Sequence, residues 1–278
     1  MLRQIARYCY RRLAPEGARS TLRAWLVFDE IDHPLQVITD FAKERVLVLA
    51  PHMDDEVIGC GGTLRKHVLA GTRVCVVYIT DGRRGDPGIY HQGLDRQEIT
   101  VRERLMTAAR EEEAQRAASV LGIDDLRFLG EPDGRLKPHA DLARHLAEIL
   151  ESERPGIVYL PSPLDQHRDH WATNVLFCRA LGQLGRRPTW LEVCRGYEIW
   201  SPLLANRVAD ITDVQATKQQ AIAEFRTQMN RSDYARAAAG LAMYRSIHVF
   251  HGQGYAEAFW EHVPEAYSEL CRRLSKPQ

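Results

Sequence analysis

Residues Val46-Leu47-Val48-Leu49-Ala50 form an unbroken apolar run that stops abruptly at Pro51-His52-Met53-Asp54-Asp55-Glu56. A run so short and so apolar is the pattern of a parallel strand covered on both faces. Chains built on such strands fold as α/β proteins, whose ligands bind just beyond the carboxyl ends of the strands. A histidine and three carboxylates at that point mark a candidate site. His52 and Asp55 are donors suited to zinc, and Asp54 between them is left free for proton transfer. The same acids equally suit the first turn of a helix, where they complement its dipole. Ile58-Gly59-Cys60-Gly61-Gly62 is expected to form a tight turn before the next helix.

A second segment repeats the pattern. Gly156-Ile157-Val158-Tyr159-Leu160-Pro161 reads as a buried strand running out into Asp165-Gln166-His167-Arg168-Asp169-His170. Histidines three apart at a helix start share one face and can point at one centre. Surface histidines at this spacing are frequent, so the motif alone says little. Two strand-end clusters with complementary donors, brought to one edge by parallel strands, imply a metal site.

The chain here resembles the PIG-L/LmbE-like family of zinc-dependent de-N-acetylases. That family carries His-Pro-Asp-Asp-Glu after its first strand and His-x-Asp-His much later, matched by His52-Met53-Asp54-Asp55-Glu56 and His167-Arg168-Asp169-His170. Further matches are Thr80-Asp81-Gly82, Arg110-x-x-Glu113 before Leu121-Gly122, Asp133-Gly134-x-Leu136, Lys218-x-x-Ala221 and Phe225-x-x-Gln228. The resemblance spans roughly residues 44–262. Met53 replaces the usual proline, which loosens the backbone but removes no ligand. The resemblance implies that His52, Asp55 and His170 hold Zn2+, or another divalent metal, with one position open to water or substrate. It implies Asp54 as the general base that later protonates the leaving amine. It implies His167 as an oxyanion donor, charged or hydrogen-bonding, with Asp169 orienting His167 or His170 or else capping the following helix. Arg110 and Asp133 are the implied contacts to sugar hydroxyls, although Arg110 also has Glu113 as a partner along its helix.

Composition bounds the remaining choices. Lysine plus arginine and aspartate plus glutamate both number 37, which gives no global bias toward nucleic acid. Cys9, Cys60, Cys75, Cys178, Cys194 and Cys271 are scattered without a Cys-x-x-Cys pair, as expected of reduced thiols in a cytoplasmic protein. No apolar run reaches membrane-spanning length, and no cleavable leader pattern opens the chain. Residues 1–28 hold six arginines against one acid, Glu16. They suit a basic amphipathic helix touching an anionic inner membrane face near a lipid-linked sugar, but the thin apolar face favours a helix packed on the body or on a second subunit of a homo-oligomer.

From residue 45 onward the pattern alternates strand and helix, which predicts a Rossmann-like, mostly parallel sheet flanked by helices. Strands are expected at 73–80, 126–129, 190–200 and 207–211, the last two paired. Helices are expected at 101–121, before Pro155, at 213–229, 233–246 and 255–273. A less regular C-terminal part completes a domain over 45–278, after a helical extension at 1–44. Residues 81–99 are glycine-rich and read either as a substrate-gating loop or as a surface excursion. The expected activity is zinc-dependent removal of an N-acetyl group from an N-acetylglucosamine-type amino sugar or glycoconjugate, free or lipid-linked. Two alternatives remain open: a zinc amidase for a non-sugar amide such as a thiol conjugate, and a catalytically silent sugar-binding relative.

Overall fold

The computed structural model describes residues 35–90, 93–185 and 188–274. The basic stretch 1–28, Cys9 and His91 lie outside the described residues, and the side chains of His248 and Cys271 are likewise not described. Eight strands form one sheet: β1 (Gln36–Ile38), β2 (Arg45–Ala50), β3 (Arg73–Thr80), β4 (Asp125–Glu131), β5 (Ile157–Pro161), β6 (Val193–Tyr197), β7 (Arg207–Asp210) and β8 (Ala256–His262). Their spatial order is β1-β7-β8-β6-β5-β2-β3-β4, and only β8 runs antiparallel to its neighbours. The apolar runs behave as their composition dictates: β2, β3 and β5 are buried on both faces.

Helices α1 (Asp55–Leu69), α2 (Arg96–Leu121), α3 (Ala140–Glu153) and α4 (Arg168–Gln183) alternate with the parallel strands. They are followed by α5 (Gln215–Ala223), α6 (Arg226–Met229), α7 (Tyr234–Phe250) and α8 (Pro264–Leu274). Helix α2 starts earlier than the apolar spacing indicates because Asp95 and Glu98 form a reciprocal capping box. It ends at Gly122, whose φ of 78° supplies the left-handed cap.

Several expectations are corrected. The glycines at 59, 61 and 62 make no turn: α1 runs through them with a kink at Cys60, where φ is −145°. The kink frees the amides of Gly62 and Thr63, and the Glu257 carboxylate of β8 accepts both at 2.8 and 2.7 Å. Lys218 neutralises that carboxylate at 2.7 Å. The glycines are needed for close approach, since a Cβ on Gly59 would stand 2.3 Å from Tyr197 Cδ2 and one on Gly62 2.7 Å from Ile211 Cγ2. The expected helix over 255–273 is strand β8 followed by α8. Strand β7 therefore pairs with β8 and β1, not with β6, because β8 inserts between them. The sheet begins at Gln36, where β1 pairs in parallel with β7. Among the described residues no helix is long and apolar enough to cross a membrane.

His67 ties α1 to the sheet and gives a test of the packing. It is fully buried, with Nδ1 2.7 Å from the Phe41 carbonyl and Nε2 3.0 Å from the Tyr159 hydroxyl. Burial pushes its pKa down from 6.5 to about 4. Between those values the unfolded chain binds a proton that the folded chain does not, so stability falls as pH falls from 6.5 to 4. The contribution lost is about 3 kcal/mol. Urea unfolding of wild type and His67→Gln across this range should show a shallower pH dependence in the variant, and equal slopes would refute the assignment.

Candidate active site

Strands β2 and β5 are direct neighbours, with Val46, Leu47 and Val48 opposite Ile157, Val158 and Tyr159. The chain leaves β2 to lay down β3 and β4 on one side, then returns to place β5 on the other. This reversal opens a crevice beyond the carboxyl ends of β2 and β5. His52, Asp54 and Asp55 leave β2 there, and the cluster from Asp165 to His170 leaves β5. The ends of β3 and β4 contribute Asp81 and Asp133. Of these, His52, Asp54, Asp55, Asp133, His167 and Arg168 line a cleft of about 830 Å³.

Asp55 stands at the centre of the cluster. Its Oδ2 lies 3.0 Å from His52 Nδ1 and 3.2 Å from His170 Nε2, and it accepts the His52 amide at 2.8 Å. His170 is completely buried, yet neither ring nitrogen has a hydrogen-bond partner in line. Its Nδ1 faces Asp165 at 3.1 Å. His52 turns Nε2 toward Asp133 and Asp169, at 3.3 and 3.4 Å. His52, His167 and His170 offer nitrogens within 4.8 Å of one another, as do the donor atoms of His52, Asp133 and Asp169. A buried imidazole without aligned partners, beside a carboxylate oxygen about 3 Å away, fits a divalent cation. Donor atoms bonded at about 2.0–2.2 Å to a tetrahedral ion are separated by little more than 3 Å.

The electrostatics lean the same way. Burial disfavours charge on His52, but Asp55, Asp133 and Asp169 outweigh it and hold its pKa well above the usual value. His170 is likewise pushed up to about 9 against burial, by Asp55 and Asp165. Asp55 is held far below the usual carboxylate range despite burial, by His170 and then His52. The cluster thus draws positive charge to its centre.

Asp54 faces the other way. Its Oδ2 lies 3.1 Å from Arg110 Nη2, and burial raises its pKa against the pull of that guanidinium. Arg110 is itself buried, donates to the Met53 carbonyl and lies over the Phe225 ring. Glu113 stands 3.6 Å from Arg110 and is spent on Thr227, accepting its amide and hydroxyl. Arg110 is therefore committed to the candidate base, while still lining the cleft. Glu56 takes no part, being buried with its pKa pushed up to about 8 and accepting from Tyr78 at 2.6 Å.

His167 caps α4, its Nδ1 accepting the Asp169 amide at 3.2 Å. The ring proton therefore sits on Nε2. Burial, followed by the nearby His52 and His170, holds its pKa below normal, which disfavours the charged form of the expected donor. Asp169 supports neither His167 nor His170 in the way expected of it. Its carboxylate accepts the Gly134 and Leu136 amides at 2.6 and 3.1 Å and presents an oxygen to His52. Asp133 accepts the Arg84 amide at 3.0 Å and also faces His52, so it lies in the cluster and at the cleft wall.

Asp165 has a larger place than its sequence context indicated. Besides facing His170, it accepts the His167 amide at 2.9 Å and the Trp200 amide at 3.0 Å. Its position two residues before His167 was the only available signal. The 81–99 segment forms a cleft wall through Gly82, Arg84, Gly85 and Pro87. Gln228 anchors it to the Gly85 carbonyl at 3.2 Å, and Arg231 pairs with Asp86. His251 is exposed at the end of α7 and does not line the cleft.

The profile of the GlcNAc-PI de-N-acetylase family, PIG-L, matches residues 47–181, the span that holds every residue of this cluster. Over that span the chain is similar to the PIG-L/LmbE-like de-N-acetylases. Among its relatives, the diacetylchitobiose deacetylase of Thermococcus kodakarensis is 27% identical over 247 residues, covering 82% of this chain and 86% of the relative. The Bacillus anthracis protein named "Probable N-acetyl-alpha-D-glucosaminyl L-malate deacetylase 2" is 29% identical over 197 residues, covering 67% of this chain and 84% of its own length. The solved N,N'-diacetylchitobiose deacetylase of Pyrococcus horikoshii superposes with a TM-score of 0.67 at 26% identity, over 81% of this chain and 85% of that one. These three relatives are deacetylases of N-acetylated sugars by name, and the mostly parallel sheet with flanking helices is the fold shared with the Pyrococcus enzyme.

Proposed function

We propose that this protein is a zinc-dependent hydrolase that removes the N-acetyl group from an N-acetylglucosamine-type sugar or glycoconjugate and releases acetate. The observation carrying this reading is Asp55 set between His52 and His170, with Asp54 beside it and turned into the cleft. His52, Asp55 and His170 would hold the metal, since Asp55 Oδ2 lies 3.0 Å from His52 Nδ1 and 3.2 Å from His170 Nε2 and the family motif places its ligands at these positions. Asp133 serves Arg84, and Asp169 serves Gly134 and Leu136. Bound there, zinc supplies Lewis acidity, lowering the pKa of water and polarising the amide carbonyl.

The side chains then divide the work. Asp54, adjacent to Asp55 but turned to Arg110, takes the proton of the attacking water. His167, with its proton fixed on Nε2 by the Asp169 amide, donates to the developing oxyanion as a neutral group. Asp54 returns the proton to the amine as the carbon–nitrogen bond breaks, leaving acetate and the free amino sugar. Acetate release from a panel of N-acetylated sugars, with and without chelator, tests the reading. Release that chelator abolishes and zinc restores is expected. Release indifferent to chelator overturns the metal, and no release from any sugar returns the amidase and the silent binder.

His167→Ala separates this donor from the metal ligands. It should retain zinc and lower kcat by roughly a hundred- to a thousandfold with little change in KM, since the oxyanion exists only after attack. A near-normal kcat would make His167 only the cap of α4.

A further inference from the structure

The cleft wall carries a charge pattern that deacetylation itself does not use. Arg84, Arg110, Arg135, Arg168 and Arg231 all line the cleft. Arg110 is paired with Asp54 and Arg231 with Asp86. Among the described residues, Arg84, Arg135 and Arg168 have no carboxylate partner for their guanidinium groups. The carboxylates lining the cleft are Asp54, Asp55 and Asp133, all engaged in the catalytic cluster.

These three arginines come from three strand-end loops, and each is tied by its backbone to the cluster. The Arg84 amide donates to Asp133 at 3.0 Å. Arg135 lies between Gly134 and Leu136, whose amides hold Asp169. Arg168 lies between His167 and Asp169 at the start of α4. The Arg84 guanidinium lies over the Tyr90 ring, 5.1 Å from its centroid. Its stem crosses Gly134 so closely that a Cβ there would fall 2.9 Å from Arg84 Cδ. The glycine thus keeps Arg84 against the same turn that carries Arg135.

Unpaired cations gathered around a cleft repel one another and focus positive potential into it. Guanidinium forks match the geometry of carboxylate and phosphate, and a neutral sugar leaves that match unused. We propose that the substrate carries an anionic group, a carboxylate or a phosphate, outside the reacting amide, and that Arg84, Arg135 and Arg168 receive it. This rests on the deacetylase reading of the site, so its test includes a readout that needs no turnover.

Calorimetry on the zinc-loaded protein would compare glucosamine with glucosamine 1-phosphate and with a glucosaminyl malate, at low salt and at about 0.3 M salt. In parallel, kcat/KM would be compared for N-acetylglucosamine 1-phosphate, N-acetylglucosaminyl malate and neutral N,N'-diacetylchitobiose. Tighter binding of one anionic ligand, weakening with salt, is expected, and the larger preference says which anion the site takes. Each of Arg84→Gln, Arg135→Gln and Arg168→Gln should lower the anionic-to-neutral ratio by about tenfold, the scale of one charge-assisted hydrogen bond. The corresponding lysine variants should recover part of it. Equal binding of neutral and anionic ligands overturns the inference, whatever the turnover. So does a preference that survives in the triple glutamine variant, because the anion would then be sitting on the metal. Acetate release without an anionic preference leaves the deacetylase reading standing and removes only this inference.

Discussion

In His170→Ala, bound zinc is expected to fall from one equivalent to a small fraction, and acetate release to fall to background. An open catalytic zinc site has three protein donors, so losing one leaves the cation with too few to compete with water. His170 is completely buried beside Asp55. Asp165 is occupied by the amides of His167 and Trp200, and His167 Nδ1 by the amide of Asp169. His52→Ala should behave in the same way. Asp165→Asn should be milder, because it leaves every ligand in place, weakening the contact with His170 Nδ1 at 3.1 Å and taking the acceptor from one of two backbone amides. Such supporting groups are worth about ten- to a hundredfold in metal affinity. Elemental analysis after gel filtration reads all three variants. A full equivalent retained in both His170→Ala and His52→Ala would remove these residues from the ligand set.

The part of this site legible in the sequence is the part that depends on strand ends. Val46–Ala50 and Ile157–Pro161 are apolar throughout because both faces of the sheet are covered, and parallel pairing puts His52 and His170 on one edge. What escaped depends on contacts across the fold. The kink at Cys60 exists because Glu257, nearly two hundred residues away, caps the amides it frees. Read alone, Gly59, Gly61 and Gly62 signal a turn, whereas here Gly59 permits contact with Tyr197 and Gly62 with Ile211. Strand β8 was hidden because Ala256–His262 is bounded by Pro264 and the helical spacing of Tyr267 and Leu270, which pulled the reading toward one helix. With β8 unread, β7 falls beside β6, because β8 is the strand that separates them.

The same distinction governs single residues. Arg110 reads as a contact to sugar hydroxyls or as a partner of Glu113 along its helix. The fold instead spends Glu113 on Thr227 and turns the guanidinium to Met53 and Asp54. Asp169 reads as an orienting partner for its neighbouring histidines, yet it reaches across to the Asp133-Gly134 turn and to His52. Side chains that act on residues adjacent in sequence are readable. Those that knit one strand-end loop to another are not.

Asp54→Asn tests the division of roles between adjacent aspartates most directly. The substitution keeps the shape and one oxygen, so the contact with Arg110 and the start of α1 should survive. It removes the basic lone pair that takes a proton. Zinc content should therefore match wild type, while kcat falls by about a hundred- to ten-thousandfold, the range for loss of a positioned general base. KM should change far less, because ground-state contacts with the sugar do not require that proton transfer. Asp55→Asn should give the opposite pattern: Asp55 Oδ2 is shared between His52 and His170, and the amide would weaken the metal itself. If Asp54→Asn loses zinc and Asp55→Asn keeps it, the two roles must be exchanged. If both keep zinc and activity, neither carboxylate acts in the reaction, and the base must be sought elsewhere in the cleft.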